Sequence, residues 1–405
     1  MKLQARPLIA AGLSSARGFS LIELMVSMVI ALVVIVAMAT VSSRFETSKR
    51  QDSAASDMST NSGYLAYDLD RQLRSAGSGF SVMRSETYGC QLFAIRNSNQ
   101  ILPALAAFPA PFATVTQDVR MMPVLAYPGV GAGGSDVLQF MTGTGGLGET
   151  ATQVRLNSVQ TNTLRLTTTV GIRGNDLLLI SESGRPCMLE QVTATAAGGA
   201  SQQLDLAGSY FATSIGTESI NTRSTAATAN AMVFGNATNG NPPKLMLLGV
   251  NANQQLVRYD LLQFTNDSSQ NPVPVADGVV DMRVMYGVSG ATVGVVDSWV
   301  TPSGSWGPTA LNAGTPTAQA LINRILAVKI SMVLRSEHQE MPATNGDPTS
   351  AYVAPATVAM FPSLPSAQRV NYTVADRYRT RRHRVVEFTI PLRNLIAMSG
   401  RPPPP

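Results

Sequence analysis

The sequence predicts an α+β protein: one long N-terminal α-helix packed on a largely antiparallel β-sheet, with long loop insertions between the strands. Three observations carry this expectation. Residues 19 to 80 contain no proline, and their apolar residues form first an unbroken run and then a helical spacing. After Phe80 the pattern changes to short alternating runs separated by turn residues. With 405 residues and 44% hydrophobic content, the chain is long enough for one large or two ordinary domains, yet only 14% of it is charged, a profile of a loop-rich exported domain.

Residues 1–18 form a basic leader in which Lys2, Arg6 and Arg17 meet no acid. The run that follows, Phe19 to Val41, has Glu23 as its only charge. At ~1.5 Å per residue a helix of that length crosses a ~30 Å hydrocarbon core, so residues 19–41 read as a membrane segment. In an ordinary cleaved signal peptide the apolar core precedes the small-residue cleavage site, whereas here Gly18 precedes the apolar run. A cut after Gly18 therefore leaves the helix on the mature chain. An uncleaved signal anchor accounts for the hydrophobicity and for Arg17. It does not account for a carboxylate inside the membrane helix, which is costly there and calls for a function or a partner.

Residues 42–78 continue the helix outward as an amphipathic half, with Met58, Leu65, Leu69, Leu73 and Ala76 on one face and Gly77-Ser78-Gly79 as its stop. The whole helix is expected to span about 60 residues, or ~85 Å. Residues 79–405 read as a β-rich domain with a Pro-rich tail, Pro402 to Pro405. Strands are expected at 136–141, 153–156, 163–167, 176–180, 188–193, 256–261, 279–286, 325–334 and 385–392. Leu326, Val328, Ile330, Met332 and Leu334 share one face, as do Val386, Phe388, Ile390 and Leu392, and each face suits the apolar stripe of the helix. Pro391 points to an edge strand or a strand end. The Ala/Gly/Ser/Thr-rich stretches 101–135, 194–245, 287–318 and 340–370 read as surface loops.

The net charge of +5 invites a nucleic-acid partner, but removing the three cations of the leader brings it to +2. The densest basic cluster, Arg377, Arg379, Arg381, Arg382 and Arg384 with Tyr378 and His383, reads as a solvated turn into the last strand rather than as a DNA contact. Gly143 to Gly148 matches GxGxxG, yet an alternating, strand-like run follows it where a phosphate-facing helix is required, so it reads as a hairpin loop. No catalytic or cofactor motif occurs, and the two histidines, His338 and His383, are 45 residues apart. The chain therefore reads as a protein that is not an enzyme and takes no cofactor. Cys90 and Cys187 have no zinc-type spacing; in an oxidising compartment they form one disulfide, and otherwise they are two buried thiols.

Arg17-Gly18-Phe19-Ser20-Leu21-Ile22-Glu23-Leu24 resembles the class III signal of type IV prepilins and type II secretion pseudopilins. The resemblance implies a pilin-like fold, cleavage after Gly18 by a prepilin peptidase, N-methylation of Phe19, and an assembly role for Glu23 opposite the N-terminal amine of a neighbouring subunit. Major pilins usually carry a kinking proline where Thr40 stands here, which favours a minor pilin. The runs YDLDRQLRSAGSGF, GNDLLLISESGRPCMLEQVT, GVVDMRVMYGV, NRILAVKISMVLRS and RRHRVVEFTIPLRN resemble, in the same order, those of PilW-type minor pilins. That family implies a structural subunit that takes part in initiating a type IV pilus. Its implied partners are the inner membrane, other minor pilins, the major pilin and a tip adhesin. The alternatives are a J-type minor pseudopilin of type II secretion and a membrane-anchored periplasmic protein whose loops bind DNA or a surface.

Overall fold

The computed structural model describes residues 18–144, 150–155, 161–193, 202–223, 228–238, 240, 242–264, 271–290, 292–337, 339 and 353–400. Most of the leader, most of the GxGxxG run, His338 and the proline tail lie outside these residues. One helix, Leu21–Leu73, dominates the N-terminal part. At ~1.5 Å per residue its 53 residues reach about 80 Å. It is unbroken through Thr40, as the lack of proline requires.

Its stripe is buried only near the end. Leu65, Leu69, Leu73 and Ala76 sit in the main core, while Met58 is half-buried and the described side chains before it are exposed. The chain then turns through Gly77 and Gly79, both at positive φ, and a Cβ on Gly77 would lie 2.5 Å from Ser81 Oγ. The carbonyls of this turn are satisfied by the end of the strand Val137–Thr142 and by the short C-terminal helix Arg393–Ser399. Thr142 Oγ1 donates to Ser75 O at 2.7 Å, Asn394 Nδ2 donates to Ser75 O at 3.1 Å and to Ala76 O at 3.2 Å, and Gly143 N donates to Ser78 O at 2.7 Å.

The largely antiparallel β-structure is divided among three main sheets, with three two-stranded pairs beside them. The first has six strands in the order Asn99–Leu102, Leu92–Arg96, Cys187–Gln191, Asp176–Ser181, Asn230–Asn236 and Thr152–Gln153. Its second and third strands pair in parallel, and the others are antiparallel. A fully antiparallel second sheet runs Val273–Asp277, Gln255–Asp260, Lys244–Val250, Val137–Thr142 and Val124–Tyr127. The third is Ser298–Val300, Val279–Val288, Ile325–Arg335 and His383–Pro391, also antiparallel. Its last strand packs against the helix and is an edge, with Pro391 as its final residue.

The stretches read as loops hold much of this framework. Val124–Tyr127 and Asn230–Asn236 are buried sheet strands, Lys244–Val250 begins at the end of one such stretch, and Thr357–Met360 pairs with Val370–Thr373 as a hairpin. The reason is packing on both faces. In the six-stranded sheet Leu177 and Leu179 face the main core, while Leu178 and Ile180 face a second apolar cluster. Strands covered on both sides lose the hydrophobic/polar alternation that marks a half-exposed strand. Ile325–Arg335 is likewise covered on both faces: Leu326, Val328, Ile330, Met332 and Leu334 fill the main core, and the hairpin covers Val333 on the other.

Candidate functional site: the N-terminal helix and its anchorage

Gly18, Phe19 and Ser20 precede the helix and are exposed, with Phe19 84% exposed and open space around Gly18. Ser20 caps the helix. Its Oγ accepts from Ile22 N, and Glu23 closes a capping box by accepting from Ser20 N, each at 3.4 Å. Glu23 therefore has a local role that its charge also suits, since the helix N-terminus carries partial positive charge. Among the described residues no cation pairs with it, and Leu21–Ser42 has mean hydropathy 2.9 with none of it buried. Ser27 and Thr40 return their hydroxyls to the backbone carbonyls of Leu24 and Ala37, at 2.9 and 2.8 Å. The segment thus satisfies its own polar groups, as a lipid environment demands.

At the other end the helix is fixed to the domain. Behind it, Cys90 and Cys187 are joined by a disulfide, with Cα atoms 5.7 Å apart and a sequence separation of 97. The bond ties the segment leaving the helix to the middle of the six-stranded sheet, where Leu92 and Cys187 are also register partners. Asp136 links the second and third sheets. Its carboxylate accepts from Val284 N at 2.9 Å and Gly129 N at 3.0 Å, and burial pushes its pKa up despite the nearby Arg283.

The arginine cluster does not form one cationic stripe. The Tyr378 ring stacks under Arg335 at 3.7 Å, with Arg377 at 4.6 Å and Arg381 at 5.8 Å. Arg379 Nε donates to Ala354 O at 3.1 Å, and Arg381 donates to the backbone carbonyls of Ser336 and Glu337. Arg335 comes from a neighbouring strand, a member of the cluster that sequence order concealed. Burial lowers the His383 pKa, and no group of three or more His, Cys, Asp or Glu is placed to hold a metal among the described residues.

The structural residues that sequence reasoning missed are Thr142 and Asn394, which meet the helix end from 67 and 319 positions away. Nothing local marks them out.

Comparison with known proteins adds two matches. Residues 13–39 match the prokaryotic N-terminal methylation motif, which spans Gly18, Phe19 and Glu23. Residues 236–394, less than half of the chain, match the family of type IV pilus-assembly protein W. The second match takes in the third sheet and three of the four C-terminal runs singled out in the sequence. No curated protein and no solved structure matches the chain. An exposed apolar helix with this motif, a helix end locked into antiparallel sheets and a C-terminal PilW region fit one kind of protein, a structural subunit with a single-pass membrane anchor and a large periplasmic domain. The chain is a prepilin-like minor pilin of a type IV pilus, with a PilW-family domain in its C-terminal part.

Proposed function

We propose that the chain is cut by a prepilin peptidase between Gly18 and Phe19, methylated on the new Phe19 amine, and incorporated through Glu23 as one of the minor pilins that initiate the pilus. The domains follow from this reading: leader 1–18, membrane and filament-core helix 19–41, periplasmic helix 42–78, and periplasmic domain 79–405. One observation carries it. Glu23 is the only charge in an apolar, wholly exposed helix half, and among the described residues no cation pairs with it. A carboxylate at the bilayer centre costs ~2.5–3.5 kcal/mol on insertion scales and less near the interface. Cleavage after Gly18 creates an amine at the same depth in every subunit. A neighbour's amine supplies the missing cation once helices pack side by side, so the acid favours assembly over the isolated anchor. The partners are thus the peptidase, other minor pilins and the major pilin, all met through the helix.

The test is Glu23→Ala expressed with the native pilus system. Membrane level and mature N-terminus, read by mass spectrometry, are expected to match wild type, while the variant's amount in sheared pili and the pilus yield fall. Normal pili containing normal amounts of the variant would discard the role of Glu23. A mature N-terminus other than Phe19 would discard the processing step.

A further inference from the structure

The outer side of the third sheet carries a cleft of about 410 Å³ that the assembly reading leaves unused. Its lining includes Trp299, Trp306, Thr301, Ser303, Gln368 and Arg369. These are the only two tryptophans of the chain, and both are half-buried, Trp306 packed against the main core and Trp299 against the cluster under the hairpin. We propose that this cleft binds a carboxylated sugar, stacked on the indole rings with its carboxylate on Arg369.

The rings are held in place. Trp299 lies across Gly287, where a Cβ would come within 2.9 Å of the ring, and Lys329 Nζ sits 4.7 Å from its centre. Trp306 has Arg324 Cζ 5.4 Å from its centre, and Arg324 is itself tied to Ser289 O at 2.9 Å. Fixed aromatic faces suit a ligand with flat C–H faces, because the polarised C–H bonds of a pyranose meet the negative face of the indole. The size is right for one or two sugar rings, since ligand clefts begin near ~300 Å³.

The polar groups set the chemistry. Thr301 and Ser303 share a hydrogen bond of 2.9 Å, two hydroxyls on one side of the cleft, and the Gln368 side chain is exposed. Such groups match sugar hydroxyls. Arg369 is exposed yet immobilised: Nε donates to Leu364 O at 2.8 Å and Nη2 to Pro362 O at 3.0 Å. Among the described residues no carboxylate pairs with it. Lys329, by contrast, is neutralised by Glu387 at 2.6 Å. The cleft therefore presents one preorganised, unpaired guanidinium beside two aromatic faces. A single anionic group is the complement of that arrangement. A polyphosphate backbone would require a stripe of such charges, which the cleft does not offer.

Both tryptophans report from the cleft, so intrinsic fluorescence of the full chain reads binding directly. The detergent must be sugar-free, such as an amine oxide. Titration with trigalacturonate is expected to give a saturable change with Kd in the millimolar to sub-millimolar range. Arg369→Gln is expected to weaken it about fivefold or more, to the level of maltotriose, at unchanged melting temperature. Should that variant melt early, Arg369→Lys serves instead and is expected to retain part of the preference for the acidic sugar. Gly287→Ala, by lifting the Trp299 ring, is expected to weaken both sugars alike. No saturable response up to about 10 mM, a weak affinity by any scale, overturns the proposal. So does equal binding of maltotriose and trigalacturonate by wild type, or equal competition by hexaglutamate, which would make the cleft a peptide-docking site.

Discussion

The two halves of the N-terminal helix share one backbone and differ in what surrounds them. From Leu21 to Ser42 no side chain is buried, whereas Leu65, Leu69 and Leu73 near its end are all but inaccessible. Among the described residues the first half finds no cover, as suits a membrane anchor. The second half is one-sided and is covered by the domain it belongs to. The core of the domain therefore draws nothing from the first half.

This contrast is open to direct attack, and the largest effect is expected from the disulfide. Its loop of about 97 residues contributes ~4–5 kcal/mol in the chain-entropy account. Reducing the full chain in micelles should lower the denaturation midpoint of the domain, read by near-ultraviolet dichroism, while far-ultraviolet helix signal from the first half persists. Loss of both signals together would show that the halves are coupled.

Next in size, Leu69→Ala and Leu32→Ala remove the same atoms from the two halves. The first should cost ~2–5 kcal/mol of domain stability and the second none that is measurable. Equal shifts in melting temperature would erase the distinction.

A pH effect is smaller and confined to the domain. Burial pushes the Asp281 pKa up to about 6, against the pull of Arg283. The folded state therefore holds its proton more tightly than the unfolded state. Stability from this group is complete below the unfolded pKa near 4 and is lost as pH rises through about 6. Asp281→Asn is expected to raise the melting temperature at pH 8, by the equivalent of ~1–3 kcal/mol, with the gain shrinking towards pH 4. A gain that is the same at both pH values would remove the ionisation from the explanation.

The smallest effect expected is Asn394→Ala, about 1 kcal/mol for the lost bonds to Ser75 O and Ala76 O. It should loosen the helix end, seen as faster amide exchange across 74–80, and leave the first half untouched.

The helix, its stripe, its glycine stop and eight of the nine strands expected after it were legible because each carries a local signal, an apolar face or a run of apolar residues between turns, whereas 153–156 meets the strand Thr152–Gln153 at one residue only. Strands such as Asn230–Asn236 and Lys244–Val250 were not, because burial on both faces erases the period-two signal. Within the assembly region, Gly18, Phe19 and Glu23 stood out because a membrane helix makes a lone carboxylate conspicuous. The tryptophan cleft did not, since Trp299, Trp306 and Arg369 meet only when two stretches that looked like loops fold onto the same sheet.

The sequence by itself thus determined the membrane helix, the position of its one acid and the α+β class, all of which depend on the order of residues along a few turns or one strand. Tertiary structure alone decided that the helix stripe enters the core only from Leu65, which distant groups cap its end, and that three main sheets share the core. Those outcomes depend on contacts between residues tens to hundreds of positions apart, and such contacts leave no periodic trace in the chain.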